Sequence, residues 1–544
     1  MMPIRHHGHT GRTRANALRW WIATAAALLA LAGCASTAPG CGDPGAGLVC
    51  TAQGAVQGTV ENGILAVKGI PYAQPPVGPL RWQPPAAPQP WQGTLDGSRF
   101  GPVCPQLAGA NVAGEEDCLT LNVWAPLVPP AKRLPVMVFF PGGGNHSFSG
   151  QGAPVFGGVN YNGGQLVPEG VVFVSFNYRL GALGFLAHPA LGAEQADKAS
   201  GNYGSQDQIA MLQWVQRNIV AFGGDPQRVF LFGTSAGGGN ICALMAAPAA
   251  KGLFHGAAMQ SSVPTGCELP TLADAEQGTG RQVAQALGCS GTDTAAACLR
   301  SKAAPDIVRA VPGTFGVLPR LYGPNVDGRV FPEQPLSVLA RGAHAHMPVI
   351  IGNDAQETMQ FVNAVGPVTD AASYAAAIGK TFGEASVDRI LAAYPPAAYP
   401  SPRQALVQLT TDALFTCQSR RVARILAGQQ SEPVYRYLFT HVLENDPEQK
   451  ALGSVHTVEH AFLFPWQGNY RPTANDLAVQ RLMTGQWARL ARTGTLEGGG
   501  SLAWPRAEPD DAYLRINPQP SAMRGDAAAK CDFWDTVKLP WPHL

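Results

Sequence analysis

The chain has 544 residues, 46 % hydrophobic and 14 % charged, with 38 basic and 37 acidic residues giving a net charge of +1. That balance excludes a disordered chain, and the absence of any long single-sign run excludes an electrostatic footprint for nucleic acid. The 63 glycines and 47 prolines punctuate apolar runs and form no repeat, so they read as loops within a globular chain.

At the N-terminus, Arg5, Arg12, Arg14 and Arg19 precede an apolar run from Trp20 to Leu31, the charged and hydrophobic parts of an export signal. Its 12 residues are too few for a membrane-spanning helix, which needs about 20. The run ends in Leu31-Ala32-Gly33-Cys34, a string similar to the lipobox of bacterial lipoproteins, in which Cys34 would be lipidated and become the mature N-terminus. Lipid chains there would anchor the protein to a membrane without spanning it. Residues 1–34 are therefore expected to be an address and residues 35–544 one catalytic domain. The expected location is the bacterial cell envelope, or otherwise the periplasm or the medium.

Short apolar runs then recur along the chain: Pro135 to Phe140, Val171 to Tyr178, Arg228 to Phe232, Gly256 to Gln260, Met347 to Gly352 and Val434 to Phe439. Their unbroken hydrophobicity suits strands covered on both faces. Between them, Ile209, Leu212, Val215, Ile219 and Phe222 recur at helical spacing, predicting a helix over Ser205 to Phe222 with Ser205 and Gln208 as a capping box. Alternation of this kind predicts an α/β fold, a mostly parallel sheet with helices on both sides.

Two glycine-rich turns carry the chemistry. The run Arg228 to Phe232 enters Gly233-Thr234-Ser235-Ala236-Gly237, a G-x-S-x-G placed between a strand and a small-residue helix. Such a turn exposes the serine hydroxyl at the sheet edge. A serine is a poor nucleophile until a base takes its proton and a site receives the developing oxyanion. The second requirement is met by Pro141-Gly142-Gly143-Gly144-Asn145 after the first of these runs, so the amides of Gly143, Gly144 and Ala236 are the expected donors. No G-x-x-x-x-G-K-[ST] occurs, no cysteine falls in a C-x-x-C pair, and neither metal nor cofactor is expected.

These turns and further blocks resemble the type-B carboxylesterase/lipase family, which includes cholinesterases. Lys68-Gly69-Ile70-Pro71-Tyr72-Ala73 with Leu80-Arg81-Trp82, and Glu116-Asp117-Cys118-Leu119-Thr120-Leu121-Asn122-Val123, are similar to its two N-terminal signatures. Asn177-Tyr178-Arg179-Leu180, Gly201-Asn202-Tyr203-Gly204, Phe222-Gly223-Gly224-Asp225-Pro226 and Cys531-Asp532-Phe533-Trp534 follow in the family's order. The resemblance implies the α/β-hydrolase fold, a small-molecule carboxylic ester as substrate and an acyl-enzyme on Ser235. It also implies Glu357 as the triad acid, with Asp354 its rival in the same loop, and His456 as the base. His460 then reads as a packed or surface histidine. A lipase, or an esterase for a bulky natural product, is the alternative within enzymes. A non-catalytic binding protein on the same fold is the remote one, against which the presence of all three triad residues speaks.

Apart from Cys34, ten cysteines remain, and an even number in an exported chain favours disulfides. Proximity pairs Cys41 with Cys50, Cys104 with Cys118 and Cys289 with Cys298. The resemblance implies the last two again and adds Cys417 with Cys531, leaving Cys242 and Cys267 as buried thiols or a contact of their own. Thr234, Pro141 and Asn145 replace residues frequent in the family and are expected to alter the pocket wall. The segment between Cys104 and Cys118 lacks tryptophan, so a platform for quaternary ammonium groups is not expected.

Overall fold

The computed structural model describes residues 47–537 and 539, apart from 129, 157, 263–266, 292–293, 318–320, 467, 499–501, 508–509 and 526. By its contacts the chain divides into Met1–Gly42 and Asp43–Leu544, and all described residues belong to the second part. The export signal, Cys34 and Cys41 lie outside the described residues, and with Cys41 the expected Cys41–Cys50 pair.

An 11-stranded sheet organises the molecule. In chain order its strands are β1 (Thr59–Glu61), β2 (Ile64–Pro71), β3 (Thr120–Pro126), β4 (Leu134–Phe140), β5 (Val172–Phe176) and β6 (Gly224–Thr234), then β7 (Gly256–Gln260), β8 (Val349–Asp354), β9 (Val434–Phe439), β10 (Ala512–Ile516) and β11 (Ser521–Arg524). Their spatial order is β1-β2-β3-β5-β4-β6-β7-β8-β9-β10-β11. Pairing is parallel from β5 through to β10 and antiparallel at both flanks. The six apolar runs correspond to β4 to β9. The flanking strands escaped the sequence because their composition is mixed, as in Thr-Leu-Asn-Val-Trp-Ala-Pro of β3.

Both faces of the sheet are covered, which is why the central strands carry no polar alternation. Val136, Val138 and Phe140 of β4 enter one apolar core, and Met137 and Phe139 enter the other. Burying each of these side chains contributes roughly 1.5–3 kcal/mol before entropy is charged against it. The predicted helix forms as α1 (Tyr203–Asn218), continued by a 3-10 turn over Ile219–Phe222. It starts two residues before the expected capping box, so Ser205 and Gln208 lie buried inside its first turns and do not cap it. Asn202 precedes the helix, and its side chain is taken up by the backbone of Asn325 instead.

One buried ion pair ties α1 to the end of β5. Arg179 donates from Nε and Nη2 to the two carboxylate oxygens of Asp207, both at 2.8 Å, and its backbone N–H adds a third bond at 3.0 Å. Burial pushes the Asp207 carboxyl up, and Arg179 pulls it back. Four disulfides are present among the described residues: Cys104–Cys118, Cys289–Cys298, Cys417–Cys531 and Cys242–Cys267. The last resolves the pair that the sequence left open. Replacing Asp207 by Asn leaves a buried guanidinium without its countercharge, and chemical denaturation should report a loss of about 3–5 kcal/mol.

Candidate active site

The turn after β6 departs furthest from ordinary backbone. Ser235 has φ 56° and ψ −124° before α2 (Ala236–Met245) begins. A non-glycine residue in this region is strained by roughly 1–3 kcal/mol and persists only where its surroundings enforce it. Here they do. The Ser235 N–H donates to Gln260 O on β7 at 2.9 Å, and Gly239 N–H donates back to Ser235 O at 3.0 Å. Gly233 and Gly237 press against the backbone at Phe140, where a Cβ on Gly237 would collide with the carbonyl oxygen. The serine stands at the N-terminus of α2, where unpaired N–H groups and the helix dipole favour negative charge.

His456 lies in the connection between β9 and β10, with Thr457 in the left-handed region directly after it. Its ring is held edge-on by Phe361 at 4.9 Å and tilted against Phe415 at 5.3 Å. Nε2 is 2.9 Å from Ser235 Oγ, and Nδ1 is 2.5 Å from Glu357 Oε2. Glu357 is fully buried, and its Oε1 accepts the N–H of Asp354 at 2.8 Å. The acid loop and the histidine loop are laced together: Gln356 N–H donates to Ser454 O and Ser454 N–H donates to Gln356 Oε1, both at 2.8 Å. An imidazole bonded to a hydroxyl on one nitrogen and a carboxylate on the other can take up the hydroxyl proton and hold the resulting charge.

Asp354, the rival carboxylate, ends β8 and turns away from His456 towards Ser261 and Ser454. His460 is packed, stacked on Phe139 and next to Tyr161, and burial lowers its pKa to about 3, so it is neutral. The glycine turn after β4 takes left-handed conformations at Gly143, Gly144 and Asn145. Among the described residues, the N–H groups of Gly143, Gly144 and Ala236 donate to no backbone or side-chain acceptor. A cavity of about 170 Å³ beside this turn is lined by Leu107, His146, Val308, Val311, Phe315 and Tyr322. No group of three or more metal-ligating side chains is found among the described residues.

Asn145 corrects an expectation. Its side chain does not face a pocket but is fully buried, accepting from Tyr178 OH at 3.1 Å and from Asn240 Nδ2 at 2.8 Å, while its carbonyl accepts from Gly181 N–H at 2.7 Å. Asparagine tolerates the left-handed backbone that the turn needs, and its amide locks the turn to β5 and α2. Pro141 and Thr234 are buried as well. Sequence reasoning missed Tyr178 and Asn240 as supports of this turn, since neither lies near it in the chain.

A mostly parallel sheet whose strained strand-to-helix turn presents a serine to a histidine and a buried carboxylate is the α/β-hydrolase fold. The family model described as "Carboxylesterase family" matches residues 46–534, and the chain belongs to that family. It is 35 % identical over 498 residues to the fumonisin B1 esterase of Sphingopyxis macrogoltabida, covering 87 % of each chain. It is 34 % identical to the para-nitrobenzyl esterase of Bacillus subtilis, covering 84 % of this chain and 92 % of that one. A solved structure of PNB esterase superimposes with a TM-score of 0.76 at 32 % identity, covering 90 % of this chain and 99 % of the other. The protein is a carboxylic ester hydrolase.

Replacing Asn145 by Ala removes the lock on the glycine turn. Steady-state kinetics with p-nitrophenyl butyrate should show kcat/KM lowered by about 10- to 100-fold, because small misplacements of the donors are costly.

Proposed function

We propose that Ser235 is the nucleophile, His456 the general base and Glu357 the acid that orients the imidazole, with the amides of Gly143, Gly144 and Ala236 receiving the oxyanion. The observation that carries this reading is the pair of bonds on His456, one to Ser235 Oγ at 2.9 Å and one to Glu357 Oε2 at 2.5 Å. Ser235 Oγ attacks the ester carbonyl while His456 Nε2 takes its proton, and the tetrahedral oxyanion turns towards the three amides. Each such donor contributes about 3 kcal/mol to lowering the barrier. His456 passes the proton to the departing alkoxide, leaving an acyl-serine. Water, deprotonated by the same imidazole, then hydrolyses the acyl-enzyme and regenerates the hydroxyl.

The substrate is read as a small-molecule carboxylic ester. The cavity of about 170 Å³ beside the glycine turn carries Leu107, Val308, Val311 and Phe315 in its wall, which favours an uncharged group of the ester there. Export is supported by the leader and by four disulfides, which form and persist in oxidising compartments. Anchoring through a lipidated Cys34 is the finer reading, supported by the Leu31-Ala32-Gly33-Cys34 string.

Ser235→Ala should lower p-nitrophenyl butyrate turnover by roughly three to six orders of magnitude with an unchanged Tm, and abolish labelling by a fluorophosphonate. Unchanged turnover would refute the assignment. Mass spectrometry of the mature protein should find an acylated Cys34 as its first residue; an unmodified residue elsewhere in that region would refute the anchor.

A further inference from the structure

Behind the triad lies a group of buried acids that the reaction as described does not use. Asp354, Glu357 and Glu459 are each fully buried, and among the described residues the one ion-pair partner they have is His456. Glu459 follows His456 by three residues and reaches back to Ser261, the residue directly after β7, whose backbone is left-handed.

Protons are shared unequally within this group. Ser261 Oγ is 2.7 Å from Glu459 Oε1 and 3.0 Å from Asp354 Oδ2, and its single proton cannot serve both. For both contacts to be hydrogen bonds, one of the two acids must hold a proton and donate it to Ser261 Oγ. Glu459 Oε1 takes the shorter bond from Ser261 and another from Tyr437 OH at 3.3 Å, while its Oε2 has no hydrogen-bond partner among the described residues. The remaining hydroxyl beside Asp354, that of Ser454, is 2.8 Å from Phe439 O and 3.2 Å from Asp354 Oδ1, so its proton belongs to the carbonyl. Asp354 is thus the oxygen pair with least to hold it as an anion.

We propose that Asp354 carries a resident proton and is a positioning residue of the esterase reaction: as a neutral acid it directs the Ser261 hydroxyl to Glu459, which stays ionised as a second negative charge behind His456. This rests on the assignment of Ser235, His456 and Glu357 given above. Burial pushes the Asp354 carboxyl well above the usual carboxylate range, and Glu459 and then Glu357 add to that push. Burial and the nearby Glu357 raise Glu459 too, while Asp354, the bond from Ser261 and the proximity of His456 oppose it. The groups facing Asp354 are Glu357 on its own loop, Glu459 from the connection after β9, Tyr437 from β9, and the hydroxyls of Ser261 and Ser454. Tyr437 is neutral, its pKa raised by burial and by the same three carboxyl groups.

The test compares pH profiles of kcat/KM for p-nitrophenyl butyrate in Asp354→Asn and Glu459→Gln. Removing a negative charge behind the imidazole disfavours its protonated form, so Glu459→Gln should move the acid limb to lower pH by on the order of one unit. Asp354→Asn replaces a neutral donor by a neutral donor and should leave the limb where it is. Any other pattern overturns the proposal: both limbs moving, neither moving, or Asp354→Asn alone moving. Should Glu459→Gln not fold, infrared difference spectra of wild type against Asp354→Asn above neutral pH decide alone. A carboxylic-acid C=O band present in the wild type and lost in the variant is expected, and its absence overturns the proposal. Fluorophosphonate labelling of wild-type Ser235 checks the triad separately, so failure of that assignment is distinguishable from failure of this one.

Discussion

The close approach of Phe140 to the turn after β6 is the constraint on which the site depends. Two strands cannot end side by side, with a strained serine between one of them and a helix, unless the flanking residues lack side chains. Gly233 and Gly237 supply that room against Phe140, and the strain at Ser235 is carried by bonds to β7 and within α2. The same strand end, β4, continues into the glycine turn, so one contact sets both the hydroxyl and the amides that face it. The large apolar cores on both faces of the sheet fix those strand ends rigidly, because close-packed interiors do not deform continuously.

The other half of the site is electrostatic. His456 is brought to the serine by a loop that has no regular structure of its own, and its position comes from Gln356 and Ser454 lacing two connections together and from two phenylalanine rings. Phe415 belongs to a π-helical turn, Asp412–Thr416, a form that recurs at functional sites because it displaces one side chain from the helical register. Behind the imidazole, several acids share a volume with no arginine or lysine paired to them among the described residues. Burying charge at that density is costly, and a proton held within the group reduces the cost.

The covalent and ionic cross-links follow a related logic. Cys242–Cys267 ties α2, the helix that carries the serine at its start, to the segment after β7, and Cys417–Cys531 joins segments 114 residues apart. Arg179 and Asp207 fasten β5 to α1 from the interior.

By itself the sequence determined the parts whose information is local: the six central strands, the G-x-S-x-G turn, the glycine run and the Cys104–Cys118 and Cys289–Cys298 disulfides, because hydrophobic period, glycine spacing and cysteine proximity act over a few residues. Resemblance extended this to Glu357 and His456. Only the tertiary structure decided between Glu357 and Asp354, three residues apart on one loop, since which carboxylate meets the imidazole depends on how that loop is pinned to Ser454. It likewise decided that Asn145 points inward to Tyr178 and Asn240, that Cys242 meets Cys267, and that Ser205 lies inside α1 and does not cap it. Each of these is a contact between segments far apart in the chain, and its energy exists only once the sheet has brought them together.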